Sequence, residues 1–277
     1  MDFTKQSYDI IILAGQSNAQ GTGRGNVTEE YIPDEKIISL SPVYTIGRKI
    51  ENEISKRDVI YSDEPFIFNV ADERIVDGLK VGDFALPFSK KYVENGLLEE
   101  GRRILIIRAA IGATGFMHGH WGLDKPLYNK MLELTDYALS LNPENKIKAL
   151  LWHQGEHEVG KQNPPKQYEK QLSLMFLTIK ERYNVANLPI IAADFTHDWK
   201  TAKERKGQSA EPISATIKKV IEDLGGVFIN TDDLPSNNQQ NNDGDITHFS
   251  RESLRVLGKR YFDAYLKILD NQGGFSL

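Results

Sequence analysis

The fold of this chain follows from the stretch Tyr8-Asp9-Ile10-Ile11-Ile12-Leu13-Ala14-Gly15-Gln16-Ser17-Asn18. Residues 8–13 form a nearly continuous apolar run, which is typical of a strand buried on both faces of a parallel sheet. The turn that follows places Ser17 at the carboxyl end of this strand, where α/β proteins position their reactive groups. A Gly-x-Ser-Asn turn is also a common capped loop, so Ser17 needs partners elsewhere in the chain before it indicates any chemistry.

Strand-like and helix-like segments alternate along the rest of the chain. Short apolar runs that predict further strands occur at 104–109, 147–152 and 188–193, with weaker runs at 37–40 and 227–230. Apolar residues at helical spacing predict amphipathic helices at 84–95, 127–141, 168–183, 213–224 and 254–268. This alternation predicts a three-layer α/β/α sandwich around a mostly parallel central sheet.

The composition narrows the classes of protein that fit this chain. With 277 residues, 40% of them hydrophobic, it is predicted to form one domain over 1–277, with an insertion or lid at 41–81. A formal net charge of −5 argues against nucleic-acid binding, and the lack of cysteine excludes disulfides and thiol catalysis. No stretch matches a signal peptide or a membrane span, so we expect a cytoplasmic protein that does not bind a membrane.

A histidine that could activate Ser17 occurs in two similar places. Asp245-Ile246-Thr247-His248 and Asp194-Phe195-Thr196-His197 both carry a carboxylate three residues before a histidine. At that spacing the carboxylate can hold Nδ1 of the histidine and leave Nε2 free to take a proton from a serine. Asp194 also continues a predicted strand, where backbone donors could satisfy it. The spacing alone does not choose between the two pairs.

Two further strand ends carry groups that could stabilise an oxyanion. Gly112, in Ile111-Gly112-Ala113-Thr114-Gly115, follows the strand at 104–109, and a glycine there allows its backbone N–H to approach a substrate closely. Gln154, in Trp152-His153-Gln154-Gly155-Glu156, follows the strand at 147–152 and offers a side-chain N–H. Gly82 is a lesser candidate for the same role as Gly112. These groups and Ser17 are expected to meet at one edge of the sheet.

Taken together, these segments resemble the four conserved blocks of the SGNH (GDSL-like) hydrolases. The blocks are Gly15-Gln16-Ser17-Asn18, Gly112, Trp152-His153-Gln154-Gly155-Glu156 and Asp245-x-x-His248. They run in order from residue 17 to residue 248, so the resemblance covers most of the chain. The most similar branch is that of the sialate O-acetylesterases and carbohydrate esterase family 6, which includes proteins related to acetylxylan esterases. The resemblance implies a flavodoxin-like α/β/α fold.

The resemblance also implies roles for individual residues. Ser17 would be the nucleophile, His248 the base and Asp245 its orienting acid, and the family places this pair just before the last helix, which favours His248 over His197. The oxyanion hole would consist of the backbone N–H groups of Ser17 and Gly112 and the side chain of Gln154. The wider superfamily has asparagine where this chain has Gln154.

The implied activity is that of a serine carbohydrate O-acetylesterase without a cofactor. Its expected substrate is an acetylated xylo-oligosaccharide or a similar small acetyl ester, and an O-acetylated sialate is the alternative. Asn18 and Glu156 are expected to support the site. Trp121 is a candidate for stacking on a sugar, and Arg24 for binding a sialate carboxylate.

Two other classes of function remain as alternatives. His153-Gln154-Gly155-Glu156-His157 matches the zinc motif His-x-x-Glu-His, to which His118 and His120 could add ligands. That motif requires a helix that places both histidines on one face, whereas this stretch follows a strand-like run and contains Gly155. We therefore expect no metal. The other alternative is a sugar-binding protein without catalytic activity.

Overall fold

A computed structural model describes residues 2–26, 34–42, 65–69, 74–76 and 79–273. Within this part of the chain the strands are β1 (Ser7–Gly15), β2 (Gly23–Arg24), β3 (Ile37–Pro42), β4 (Pro65–Asn69), β5 (Arg74–Val76), β6 (Leu79–Gly82), β7 (Arg102–Ala110), β8 (Lys146–His153), β9 (Ile190–Ala193) and β10 (Val227–Ile229). The helices are α1 (Ser17–Gln20), α2 (Ala85–Glu94), α3 (Pro126–Ser140), α4 (Glu156–Gly160), α5 (Pro165–Arg182), α6 (His197–Glu204), α7 (Glu211–Asp223), α8 (Asn237–Asn241) and α9 (Arg251–Asn271).

The central sheet confirms the predicted fold class. Its strand order is β10-β9-β8-β1-β7-β3-β4, and every pairing is parallel except that of β4 with β3. The chain thus forms a mostly parallel sheet with helices on both faces. Each long apolar run became a strand, because only a strand covered on both sides buries every side chain of such a run.

Alternate residues of β1 enter two separate cores. Ile10 and Ile12 belong to the core that α3, α5 and α7 cover, whereas Ile11 and Leu13 belong to the core that α2 and α9 cover. Successive side chains of a strand point to opposite faces, so one sequence run supplies both layers. Burying one such side chain contributes about 1.5–3 kcal/mol, and truncating Ile11 to alanine would cost about 2–5 kcal/mol.

The register of the sheet places three strand ends at one level. Gly15, the last residue of β1, pairs with Ala110 of β7 on one side and with His153 of β8 on the other. The segments that follow these ends therefore start side by side. These segments are α1, the loop from Ile111 and the turn before α4, and they carry the groups that the sequence singles out.

The predicted insertion at 41–81 is described in part. β4 extends the central sheet at one edge, and β5 and β6 form a three-stranded antiparallel sheet with β2. The remainder of the segment lies outside the described residues, so its role as a lid stays a prediction. Among the helices that are described, none is long and apolar enough to cross a membrane.

Candidate active site

Ser17 lies at the start of α1, directly after the strand at the centre of the sheet. Gly15 has φ +135°, and a Cβ at this position would lie 2.1 Å from the carbonyl oxygen of His153. Only glycine therefore allows β1 to pass so close to β8. Gln16 then donates its backbone N–H to the same carbonyl oxygen (2.9 Å), which holds the turn against the sheet. Ser17 is 7% exposed.

A chain of hydrogen bonds joins Ser17, His248 and Asp245. Nε2 of His248 lies 2.8 Å from Oγ of Ser17, and Nδ1 of His248 lies 2.8 Å from Oδ2 of Asp245. An ionised carboxylate only accepts hydrogen bonds, so Nδ1 carries the proton and Nε2 accepts from the serine hydroxyl. The structure thus brings together the three residues that the sequence selects, in the order that proton transfer from a serine requires.

The surroundings of Asp245 keep its carboxylate charged. Burial alone would raise its pKa, but hydrogen bonds from His248 and Asn237 outweigh this effect and hold its pKa well below the ordinary value. Nδ2 of Asn237 donates to Oδ2 of Asp245 (3.0 Å), and the backbone N–H groups of Thr247 and His248 donate to Oδ1 (both 3.2 Å). A charged Asp245 fixes the tautomer of His248.

Sequence reasoning missed Asn237, which also binds the segment after Ser17. Its Oδ1 accepts the backbone N–H of Arg24 (2.8 Å), and its Nδ2 donates to the carbonyl oxygen of Thr22 (3.2 Å). A local signal for its position does exist in the sequence. Ser236 and Gln239 form a capping box that starts α8 at Asn237.

Asn18 fastens the loop of His248 to α1. Its Oδ1 accepts the backbone N–H of Phe249 (3.1 Å), and its Nδ2 donates to the carbonyl oxygen of Thr247 (3.3 Å) and to Oε1 of Glu156 (2.9 Å). The residues on both sides of His248 are therefore held by one fully buried side chain. Asn18 and Glu156 are thus in direct contact, and their expected role as supports of the site stays a prediction.

Glu156 and His153 form a buried pair beneath these residues. Oε1 of Glu156 lies 3.7 Å from Nε2 of His153. Burial raises the pKa of Glu156, and burial also lowers the pKa of His153 to about 3. Both shifts favour the uncharged forms. The ring of His153 packs against Phe84 and Phe249, and neither of its nitrogens has a hydrogen-bond partner among the described residues.

Gly112 lies beside Ser17, as the sequence predicts. A Cβ on Gly112 would lie 3.3 Å from Cβ of Ser17. The backbone N–H of Gly112 donates to Oε1 of Gln20 (2.8 Å), a contact that nothing in the sequence indicates. Gly82 instead pairs with Gly23 in the small sheet, and a Cβ there would meet Arg251. Of the two glycines, Gly112 is therefore the one that borders Ser17.

The side chain of Gln154 is held by neighbours within the protein. Its Nε2 donates to Oε1 of Glu158 (3.0 Å), and its Oε1 accepts from the hydroxyl of Tyr168 (3.0 Å). Longer contacts of 3.4 Å join Nε2 to Oε1 of Gln16 and to the carbonyl oxygen of Thr114. Its role as an oxyanion donor stays a prediction, and in this conformation the amide is directed to other acceptors.

Of the two residues that the sequence suggests for substrate binding, Trp121 is buried and Arg24 is partly exposed. Trp121 is 1% exposed and packs against Trp152 in the core, so the expectation that it stacks on a sugar is corrected. Its side chain, in the loop before α3, fills the core instead. Arg24 is 39% exposed, and its guanidinium lies 3.5 Å from Asp243. It thus lies on the segment that Asn237 holds next to Asp245.

The second Asp-x-x-His segment does not form the same pair. Asp194 accepts hydrogen bonds from Ser214, Lys200 and the backbone of Phe195. His197 is 57% exposed and lies beside Asp232. Asp194 is thus satisfied by two side chains and one backbone N–H, whereas its position at a strand end suggested backbone donors.

The zinc alternative does not fit the geometry. His153 ends β8 and His157 lies in α4, so the two do not share a helix face. The ring of His157 instead contacts His118, with His120 nearby. Over the described part of the chain, no group of three or more histidine, aspartate or glutamate side chains is arranged to hold a metal ion.

Comparison with known proteins places this chain among carbohydrate esterases. Residues 7–267 match the family model described as carbohydrate esterase, sialic acid-specific acetylesterase. A protein of Escherichia coli (strain K12), described as a probable 9-O-acetyl-N-acetylneuraminic acid deacetylase, is 29% identical over 230 residues, which are 70% of this chain and 68% of that protein. A probable carbohydrate esterase of Arabidopsis thaliana is 27% identical over 260 residues, which are 93% and 90% of the two chains.

A solved structure shows the same fold. The crystal structure of NanS superposes with a TM-score of 0.69 at 19% identity, covering 96% of this chain and 99% of that one. The family match over residues 7–267 includes the whole parallel sheet and Ser17, which follows the central strand. The chain belongs to the carbohydrate esterase family of sialic acid-specific acetylesterases and is a carboxylic ester hydrolase.

Proposed function

We propose that the protein removes acetyl groups from sugars through an acetyl-enzyme intermediate on Ser17. The observation that carries this proposal is the hydrogen-bond chain from Ser17 through His248 to Asp245, with 2.8 Å at both links. A serine hydroxyl is a weak nucleophile until a neighbouring base takes its proton. His248, held by the charged Asp245, is that base.

In the first half of the reaction, Oγ of Ser17 attacks the acetyl carbonyl carbon while Nε2 of His248 takes the hydroxyl proton. The carbonyl π bond opens to a tetrahedral oxyanion, which accepts hydrogen bonds from the backbone N–H groups of Ser17 and Gly112. Each such donor contributes about 10²- to 10³-fold in rate. The C–O bond to the sugar then breaks, and His248 returns the proton to the leaving sugar oxygen.

In the second half, His248 takes a proton from a water molecule that attacks the acetyl-enzyme. The same amides stabilise the second oxyanion, and the Ser17–acyl bond breaks as His248 returns the proton to Oγ. The products are acetate and the free enzyme. Gln154 is a further candidate donor through the second hydrogen of its Nε2, because one hydrogen is held by Oε1 of Glu158 and the other contacts of this nitrogen are 3.4 Å long.

The favoured substrate class is an O-acetylated sialate, with an acetylated xylo-oligosaccharide as the alternative. The description of the Escherichia coli relative supports the sialate. So does Arg24, a partly exposed cation on the segment that borders Asp245, because guanidinium groups suit carboxylate recognition. Neutral xylo-oligosaccharides have no carboxylate for Arg24 to bind.

Acetate release from a panel of acetylated sugars tests the proposal. We expect the wild-type protein to release acetate from 9-O-acetyl-N-acetylneuraminic acid faster than from acetylated xylobiose, and Ser17→Ala to lower kcat by about 10⁴-fold or more on both. A phosphonate ester should label Ser17 and no other residue, as read by mass spectrometry of peptides. Acetate release that survives in Ser17→Ala would overturn the assignment of the nucleophile.

A further inference from the structure

The backbone N–H of Gly112 is already occupied in the structure. It donates to Oε1 of Gln20 at 2.8 Å, a distance typical of a good hydrogen bond. The same oxygen lies 3.2 Å from where a Cβ of Gly112 would be, and Cβ of Ser17 lies 3.3 Å from that point. The side-chain amide of Gln20, the N–H of Gly112 and the nucleophile thus border one small space.

The local structure of α1 explains why Gln20 reaches this space. Ser17 and Gln20 are three residues apart in a helix of a single turn, so their side chains lie on neighbouring parts of one face. The turn is closed by the hydrogen bonds from the N–H of Gln20 to Gln16 and from the N–H of Gly21 to Ser17. Gln20 is partly exposed, so part of its side chain borders solvent.

We propose that Gln20 occupies the oxyanion hole in the resting enzyme and that the substrate's carbonyl oxygen displaces it. The inference rests on the proposed function, because it assumes that Gly112 donates to the oxyanion. An N–H that already donates to Oε1 of Gln20 cannot give a second acceptor a linear hydrogen bond of full strength. Gln20 is therefore a positioning residue that acts through Gly112.

The bond between Gln20 and Gly112 stabilises the resting loop and weakens the binding of substrate. Gly112 is partly buried, and an N–H that is shielded from water without an acceptor is costly, so the bond to Gln20 helps to hold this loop while no substrate is bound. The substrate must then replace one hydrogen bond by another, instead of gaining a new one. Substrate binding is weakened by part of the net value of that bond, which corresponds to about a two- to tenfold change in affinity.

Three substitutions at Gln20 test the proposal, with p-nitrophenyl acetate as the probe because it needs no contact to a sugar. Gln20→Met keeps the side-chain length and removes the acceptor, so kcat/KM should rise about two- to tenfold, mainly through a lower KM. Gln20→Glu keeps the acceptor and adds a negative charge beside the developing oxyanion, so kcat/KM should fall by about tenfold or more. Gln20→Ala should resemble Gln20→Met.

A matched control perturbs the same turn without touching Gly112. Thr22 donates its hydroxyl to the carbonyl oxygen of Ser17 (3.2 Å), so Thr22→Val removes one hydrogen bond of α1 but should not raise kcat/KM. The amide exchange of Gly112, read by NMR, should accelerate in Gln20→Met and not in Thr22→Val. This second readout does not depend on turnover.

The outcomes separate this inference from the proposed function. If Ser17→Ala abolishes acetate release and folded Gln20→Met is no faster than the wild type, Gln20 is not a competing acceptor, whereas the proposed function stands. If Gln20→Met does not fold, the same comparison is made with Gln20→Ala. If Ser17→Ala remains active, the proposed function fails and the inference fails with it.

Discussion

Two segments of this protein have nearly the same sequence, but their carboxylates and histidines have different hydrogen-bond partners. In Asp245-Ile246-Thr247-His248 the carboxylate turns back to Nδ1 of its own histidine, at 2.8 Å. In Asp194-Phe195-Thr196-His197 the carboxylate binds Lys200 and Ser214, and the histidine lies beside Asp232. An Asp-x-x-His pattern therefore permits a pair but does not define one.

The difference arises from the elements that follow each segment. His197 is the first residue of α6, so the helix begins at the histidine and carries it away from Asp194. His248 is followed by Phe249 and by Ser250, the N-cap of α9, so it remains in a loop. The buried side chain of Asn18 then holds that loop in place. Phe249 and Ser250 thus separate His248 from α9, whereas no residue separates His197 from α6.

The two segments also touch each other. The hydroxyl of Thr196 donates to the carbonyl oxygen of Ile246 at 2.6 Å, and its oxygen accepts from the backbone of Trp199 to cap α6. The segment that does not approach Ser17 thus supports the segment that does. Substitutions in matched pairs can separate these roles.

The largest difference in kcat is expected between His248→Ala and His197→Ala. We predict that His248→Ala lowers kcat by about 10⁴-fold or more, because no other described base lies within hydrogen-bond distance of Ser17. His197→Ala should leave kcat within about twofold, since its exposed ring contacts only surface groups. Steady-state acetate release checks both variants. Full activity in His248→Ala with loss in His197→Ala would reverse the comparison.

The next largest difference in kcat is expected between Asp245→Asn and Asp194→Asn. Asp245→Asn should lower kcat by about 10³- to 10⁴-fold, because an amide can hold His248 in the wrong tautomer. Asp194→Asn should instead lower the free energy of unfolding by about 1–3 kcal/mol with little change in kcat, since it removes the buried charged acceptor of Ser214 and Lys200, although Lys200 keeps its ion pair with Asp232. Urea unfolding and acetate release, measured on both variants, separate the two effects.

The pH dependence of the free energy of unfolding tests whether Asp245 is charged in the folded protein. Its pKa is held below the ordinary value, so its charged form stabilises the folded state above a pH of about 4. This contribution disappears as the pH falls through the lowered pKa. Wild type and Asp245→Asn should therefore differ in stability at pH 7 and converge in strong acid. A difference that stays constant with pH would contradict the lowered pKa.

A smaller effect is expected for Asn18→Ala. This change removes the bonds to Thr247 and Phe249 and leaves His248 in place but less well held. We expect kcat to fall by about 10- to 100-fold, because small displacements of a base reduce proton transfer strongly. The rate at which a phosphonate labels Ser17 should fall in parallel. Unchanged labelling would show that the loop holds His248 without Asn18.

The smallest effect is expected for Thr196→Val, which cuts the contact between the two segments. Loss of one buried hydrogen bond and of the N-cap of α6 should reduce the free energy of unfolding by about 1–2 kcal/mol. We expect kcat to fall only severalfold, since Asn18 and Asn237 still hold the loop of His248. Thr247→Val serves as the comparison, because the hydroxyl that binds the carbonyl oxygen of Ile246 belongs to Thr196.

The main strands and helices were predictable because each carries a local signal, whereas short elements such as α6 and α8 were not predicted. The run at 8–13 became β1, and the helical spacing at 254–268 became α9, as hydrophobic periodicity indicates. Gly15 and Ser17 could also be located from the sequence, since a glycine turn after a buried strand reaches the same edge in any parallel sheet. For Trp121 the local signal was too weak, because an aromatic residue in a loop can face either the core or a ligand.

By itself, the sequence determined the layers, the strand at 8–13 and the serine at its end, because these follow from the spacing of apolar residues within short stretches of chain. The strand order, which puts β1 at the centre of the sheet, came from the tertiary structure. The family resemblance favoured His248 over His197, but only the tertiary structure brought His248 to Ser17, directed Gln154 toward Glu158 and placed Gln20 on the N–H of Gly112. Each of these choices is a hydrogen bond of a polar side chain that has several possible acceptors. Which acceptor lies within 3 Å depends on how separate strands and helices pack, and no short stretch of sequence contains that information.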